Sequence, residues 1–230
     1  PGGPAVRGRG VAEQKTAMTA ALGAVAQAHR DGLRGRVLFT VLSAGETGRH
    51  TAIESVGGTL EAPPDFAVIC LGTDNRIGAG NKGRLDIDVT VGGRSAHSST
   101  PSAGIDAIDG ARHCLNALKP LDLGVAASPQ FGPATLTPTA IRSGPDATHT
   151  LQDTVRMTFD RRLLPGEDPD AAFETIRAAL PSGGPWTVRC ARGPFMYPND
   201  IDDSGALMTL LRDAYRDAGL GDADTVTCNF

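Results

Sequence analysis

Apolar and polar positions alternate most cleanly in the middle of the chain. Leu85, Ile87, Val89 and Val91 interleave with Asp86, Asp88 and Thr90, the period-two pattern of a strand with one buried and one wet face. Upstream the pattern differs. Arg36 to Ser43 (RVLFTVLS) and Asp65 to Leu71 (DFAVICL) are near-continuous apolar runs, which predict strands buried on both faces. Before them, Met18, Leu22, Val25 and His29 recur at helical spacing over 12–30, and Gly32 ends the run. A shorter helix is predicted over Thr51 to Val56. Helix, strand, helix, strand predicts an α/β layer with a mostly parallel sheet.

Downstream of the alternating strand, Ile105, Ile108, Ala111, Leu115 and Leu118 form an apolar helical stripe that stops at Pro120. Residues 121–134 read as a loop. Thr135 to Arg142 and Thr154 to Arg161 read as two strands separated by a Gly-Pro-Asp turn. Asp168 with Pro169 is a helix start, and Phe173, Ile176 and Leu180 make its stripe. Trp186 to Ala191 is a further alternating strand. Strand, helix, strand, strand, helix, strand over 84–192 is the ferredoxin-like βαββαβ arrangement. Leu207, Leu210, Leu211, Ala214 and Ala218 then predict a helix closed by Gly219, and Thr225 to Phe230 begins a strand. The predicted fold class is therefore α/β. A partial, mostly parallel sheet domain (1–83 and 193–230) carries an inserted ferredoxin-like domain (84–192).

Composition narrows the possibilities. A hydrophobic fraction of 40% supports a folded core. The net charge of −4 comes from 22 basic and 26 acidic residues spread along the chain, so neither nucleic acid nor an anionic membrane is expected as a partner. No apolar run is long enough to cross a bilayer. Cys70, Cys114, Cys190 and Cys228 form no Cys-x-x-Cys pair, which argues against a cysteine zinc site and for buried reduced thiols, as in a cytoplasmic protein. The chain begins at Pro1, without an initiator Met, and is expected to continue beyond both ends.

Several polar residues stand where chemistry is possible. Glu13 opens a helix, where a carboxylate also serves as a simple cap. Glu46, in Gly45-Glu46-Thr47-Gly48, follows a predicted buried strand, and the carboxyl ends of parallel strands are where open α/β sheets hold ligands. A solvated loop acid is the plain alternative. His97 lies in a loop of small residues, approachable by substrate and able to donate to a developing oxyanion. A surface histidine is the plain alternative there. His29 and His113 lie on predicted helices, His50 on a turn, and His149 between the two middle strands. Arg161 and Arg162 end a strand; a guanidinium suits a substrate carboxylate, and equally a salt bridge to Asp160 or Glu167.

Taken together, four segments resemble one family. It comprises aminoacylase, acetylornithine deacetylase, succinyl-diaminopimelate desuccinylase and the glutamate-releasing carboxypeptidases, all di-zinc amidohydrolases. Its Gly-Arg-Gly-x-x-Asp-x-Lys resembles residues 8–15, and its acidic pair before a glycine turn resembles Gly45 to Gly48. Its Gly-x-x-x-His-Ser-x-x-Pro-x-x-Gly-x-Asn-Ala-Ile resembles Gly93 to Ile108, and its Asp-x-Arg-x-x-Pro-Gly resembles Asp160 to Gly166.

The resemblance implies an inserted lid and dimerisation domain, a homodimer, and hydrolysis of a C–N bond in a small N-acyl or N-carbamoyl amino acid. It implies two zinc ions, with cobalt or manganese as substitutes. The position of the bridging acid is Glu13, and that of a second ligand is Glu46. The general-base position is occupied by Gly45 and a further ligand position by Leu71, with Asp74 nearby as a replacement ligand. The family's remaining metal histidines would fall before residue 1 and after residue 230. The resemblance further implies that His97 acts on the oxyanion in the partner subunit's site, and that His149 and Arg162 bind substrate. Gly45 and Leu71 leave a second expectation open, a non-catalytic relative that keeps the fold and dimer and binds a small molecule. A bare ferredoxin-like interaction module is a third.

Overall fold

The computed structural model describes residues 5–42 and 51–228, the side chains of Glu13 and Thr51 excepted. They form two compact units: Pro1–Gly78 with Asp202–Val226, and Ala79–Ile201 with Thr227–Phe230.

In the first unit a π-helical turn, Val11–Lys15, leads into helix α1 (Thr16–Arg30), and Gly32 at φ 77° closes it. Helix α2 is Thr51–Gly57. Helix α5 (Ala206–Asp217) buries Met208 completely and ends at Gly219, also at positive φ. Leu210, placed in its predicted stripe, is exposed instead. The two predicted buried strands are not strands here. Residues 36–42 and 65–71 run as extended coil, with Val37, Val41, Phe66, Val68, Ile69 and Leu71 exposed. A parallel strand needs hydrogen-bonding neighbours and helices on both faces. Among the described residues these two runs have neither. Cys70, in the second run, is exposed rather than buried, and all four cysteines are free.

The second unit follows the predicted order closely. Strand β1 (Ile77–Asn81), of which Ala79–Asn81 belong to this unit, pairs antiparallel with the two-residue strand β6 (Asn199–Asp200). The main sheet contains β2 (Gly83–Gly92), β3 (Thr135–Gly144), β4 (Thr154–Leu163) and β5 (Thr187–Met196) in the order β3-β4-β2-β5, with every pair antiparallel. Helices α3 (Ala107–Leu118) and α4 (Pro169–Ala179) lie on one face. This is the ferredoxin-like arrangement.

Alternation built that sheet. Leu85, Ile87, Val89 and Val91 of β2 and Val155, Met157, Phe159 and Leu163 of β4 are essentially fully buried against Ala107, Ala111, Cys114, Leu118 and Ile176 of the helices. Asp106 caps α3 by accepting the Ile108 N–H at 2.8 Å, and Asp168 caps α4 by accepting the Asp170 N–H at 3.1 Å. The α3 stripe is rotated from the predicted one. Its buried face is Ala107, Gly110, Ala111, Cys114 and Leu118, while Ile108 is exposed. Gly110 explains the rotation: a Cβ there would lie 2.3 Å from the Trp186 ring, so the indole occupies the space a side chain would fill.

Candidate functional site

Two loops of the second unit are clasped together, and each carries a predicted site histidine. The segment after β2 returns against the segment before β4. Gly93 N–H donates to the Asp153 carbonyl (2.7 Å), Leu151 N–H to the Ala96 carbonyl (2.8 Å), and Ser98 N–H to the His149 carbonyl (2.8 Å). His97 and Thr150 form an isolated antiparallel bridge. The imidazoles of His97 and His149 consequently stack, with centroids 6.5 Å apart and planes inclined by 23°. Both residues are exposed.

The environment of His97 sets its tautomer. The Ser99 backbone N–H points at His97 Nδ1 at 3.2 Å, and Ser99 Oγ lies 2.8 Å from the same nitrogen. A backbone N–H can only donate, so Nδ1 accepts and the neutral ring carries its proton on Nε2. The loop thus presents an N–H donor outward, as an oxyanion would require.

Asp153 holds the clasp from inside. Its carboxylate accepts from Ser95 Oγ–H at 2.7 Å and from Thr154 Oγ–H at 3.0 Å. Those bonds, Ser95's foremost, hold its pKa below the ordinary carboxylate value. A lowered pKa makes the charged form's contribution complete above about pH 4 and removes it as pH falls through the shifted value. Protection of the Ser98 and Leu151 amides from exchange, relative to the unfolded chain at the same pH, is therefore expected to fall as the solution is acidified below about pH 4, and Asp153→Asn is expected to show the lower protection already at neutral pH. Protection factors that ignore both changes would remove Asp153 from this role.

Arg162 lies at the other end of the sheet. It sits on the face away from the helices, where its Nε and Nη2 meet the Asp160 carboxylate at 2.8 and 3.2 Å. Arg84 grips Asp86 through two bonds of 2.7 Å and approaches Asp160 at 3.7 Å. The hydrogen bonds that Arg84 donates to the Asp86 carboxylate raise the Arg84 pKa above its already high ordinary value. Local spacing did not disclose this network, because it depends on the register Arg84↔Arg162 and Asp86↔Asp160 between β2 and β4. Of the two predicted partners, Asp160 belongs to Arg162 and Glu167 to Arg161.

Eight residues of β4 separate Arg162 from Thr154, or about 26 Å of extended chain. One copy of the domain therefore does not bring Arg162 and His97 to a common small ligand.

The predicted metal ligands fare differently. Glu46, with Gly45, Gly48 and His50, lies outside the described residues, and so does the side chain of Glu13. Asp74 is exposed, at φ 57° beside Asn75 at φ 56°, in a turn closed by Thr73 and Arg76. Leu71 is exposed. Among the described residues no three His, Cys, Asp or Glu side chains converge as a metal's donor set would, so these residues alone do not fit a zinc centre. No described helix is long and apolar enough to cross a membrane.

Residues 79–188 match the family model of a peptidase dimerisation domain, M20_dimer. The matched segment lies within the second compact unit and includes β2, β3, β4, both helices and the histidine clasp, ending two residues into β5. YgeY, an uncharacterized protein of Escherichia coli K12, is 32% identical over 115 residues, which are 50% of this chain and 28% of that protein. A probable carboxypeptidase of Uncinocarpus reesii is 28% identical over 188 residues, covering 77% of this chain and 41% of its own length. The chain thus spans well under half the length of these relatives. Among solved structures, a tripeptidase from Staphylococcus aureus superposes with a TM-score of 0.51 at 21% identity, over 66% of this chain and 39% of that one. At that identity the likeness speaks for the fold. The match of residues 79–188 to M20_dimer points to the M20 superfamily and leaves the subfamily open.

Proposed function

We propose that the chain is part of a metal-dependent hydrolase of the M20 type that cleaves a C–N bond in a small N-acyl or N-carbamoyl amino acid or a short peptide. The lid is 84–192, and 1–83 with 193–230 belongs to the catalytic domain of a cytoplasmic enzyme. Glu13 and Glu46, joined by Asp74 if its turn rearranges, are the proposed ligands for zinc, cobalt or manganese. The observation that carries this reading is the histidine clasp, sited inside a dimerisation domain and far along the sheet from Arg162. A substrate held by Arg162 through its carboxylate can meet the Nε2–H of His97 only if the two come from different copies. His97 then donates to the developing oxyanion in the partner's site, and His149, stacked beside it, bounds the substrate.

The proposed homodimer forms along edge strand β3. That strand pairs on one side only, with β4, and Ile141 on β3 and Ile108 on α3 are exposed at 61% and 51%.

The test uses the complete enzyme. His97→Ala is expected to lower kcat about 100-fold or more, the cost of one oxyanion donor, with bound metal and dimer mass unchanged. Arg162→Gln is expected to raise KM chiefly. Less than one metal equivalent per subunit, unrescued by cobalt or manganese, would sink the proposal. Gly45, which offers no side chain where the family places its base, favours the non-catalytic relative as the second reading. Turnover of any acyl amino acid or peptide by the intact protein excludes that one.

A further inference from the structure

The open face of the main sheet is polarised, and its far end carries a row of arginines that no acid pairs with among the described residues. Register fixes the arrangement. Arg142 of β3 stands opposite Arg156 of β4, Arg156 stands opposite Thr90 of β2, and Thr90 stands opposite Arg189 of β5. Their sequence neighbours Val89, Val155, Met157 and Val188 pack in the core, so these side chains share the helix-free face. All three arginines are exposed, and among the described residues their side chains make no hydrogen bond or ion pair. At the near end of the same face the charges cancel, Arg84 and Arg162 against Asp86 and Asp160.

Like charges placed directly opposite in a sheet repel one another. The acids within reach do not relieve this row. Asp88 lies one row away and accepts from Thr158 Oγ–H at 2.8 Å. Asp153 lies beyond the other side and is held by Ser95 and Thr154. A fourth cation, Arg94, stands at the same end, and its Nε donates to the Ala103 carbonyl at 3.2 Å. Thr90, Gly92, Arg94, Asp153, Thr187 and Arg189 help line a cleft of ≈ 460 Å³ beside the row. Gly92 keeps its floor open, since a Cβ there would lie 2.6 Å from Thr187 Oγ. On a chain of net charge −4 this is a local concentration of positive charge.

We propose that this row and cleft bind a compact polyvalent oxyanion of the polyphosphate class. Adjacent strands are about 4.8 Å apart, so the row spans about 14 Å, within which three long guanidinium side chains can converge above Thr90. A single carboxylate neutralises one of them. A polyphosphate offers several charges and the paired oxygens that guanidinium groups fork onto. The inference is independent of the hydrolase reading, because none of the three arginines of the row is placed in that chemistry.

Titration calorimetry of the full chain with tripolyphosphate at low ionic strength tests it. Saturable binding that weakens as salt is added is expected. Arg142→Gln, Arg156→Gln and Arg189→Gln are each expected to weaken it about tenfold, while Arg112→Gln, on the opposite face, leaves it unchanged. Arg156→Gln is also expected to melt no lower than the parent without ligand, since it relieves repulsion. No binding, or equal binding by the parent and the three variants, overturns the proposal. So does a lowered melting point of Arg156→Gln, which would make the row structural. Tighter binding of an octaglutamate peptide than of tripolyphosphate would assign the surface to an acidic protein partner instead and also overturn it.

Discussion

Replacing Arg161 by alanine is expected to lower the unfolding free energy by about 3–5 kcal/mol, the cost of leaving one member of a buried ion pair unpaired. Arg161 is 1% exposed and is the one buried charged residue among the described residues. Its parity on β4 matches Val155, Met157, Phe159 and Leu163, so it points into the helix-covered side. There its guanidinium donates to Glu167 and to the Arg162 carbonyl. Glu167, with only 8% of its side chain exposed, also accepts the Leu164 N–H at 2.6 Å. Burial pushes the Arg161 pKa down and Glu167 pulls it back up. Removing the cation leaves the carboxylate facing apolar groups, and the turn from Leu164 to Asp168 that starts α4 loses its anchor. The double variant Arg161→Met with Glu167→Gln is expected to recover most of the loss, because neither charge remains to be desolvated and the amide oxygen still accepts the Leu164 N–H. Urea unfolding followed by circular dichroism measures both. A loss under about 1 kcal/mol for the single variant, the range of exposed pairs, would mean the pair is not held away from water.

The contrast between Arg161 and Arg162 shows what a sequence discloses. Alternation along β4 already separates them, one inward and one outward, so their different fates were readable in principle. Which acid each would take was not, because that depends on the turn at Leu164 and on strand register. The β2 strand and the βαββαβ order were legible because local period and global burial agree there. The α3 face was misplaced for a nameable reason. Small residues and Trp186 packing over Gly110 decide the buried side, and a reading weighted by large apolar residues chooses Ile108. The apolar runs 36–43 and 65–71 carry the pattern of inner strands, but a strand's pairing is a property of its neighbours, which the run itself does not encode. The meeting of His97 with His149 likewise comes from a bridge between distant segments, invisible to any local pattern.

Gly93→Ala is expected to cost about 1–3 kcal/mol of stability from forced backbone displacement. A Cβ on Gly93 would lie 2.2 Å from the Ile105 carbonyl oxygen and 3.1 Å from the Ala107 nitrogen. Both are backbone atoms, so no rotamer change makes room. The neighbouring exchange, Arg94 N–H to the Ile105 carbonyl at 2.9 Å and Ile105 N–H to the Arg94 carbonyl at 2.8 Å, holds the two segments at that separation. Gly104 is bare for the same reason, since its Cβ would meet the Arg94 carbonyl oxygen at 2.7 Å. A methyl group at Gly93 must therefore push the start of α3 away, straining the Asp106 cap and loosening the loop that carries His97. This gives the glycine of the Gly-x-x-x-His segment a physical role, that of a spacer without which the histidine is not aimed. Two measurements separate the effects. Urea unfolding reads the stability loss, and the ring contacts between His97 and His149 in a nuclear Overhauser spectrum read the aim. Under the proposed function, Gly93→Ala in the full-length protein should depress kcat toward the level of His97→Ala. Parent-like stability together with an unchanged His97–His149 contact would show that the backbone absorbs the methyl without cost, and the spacer role would be lost.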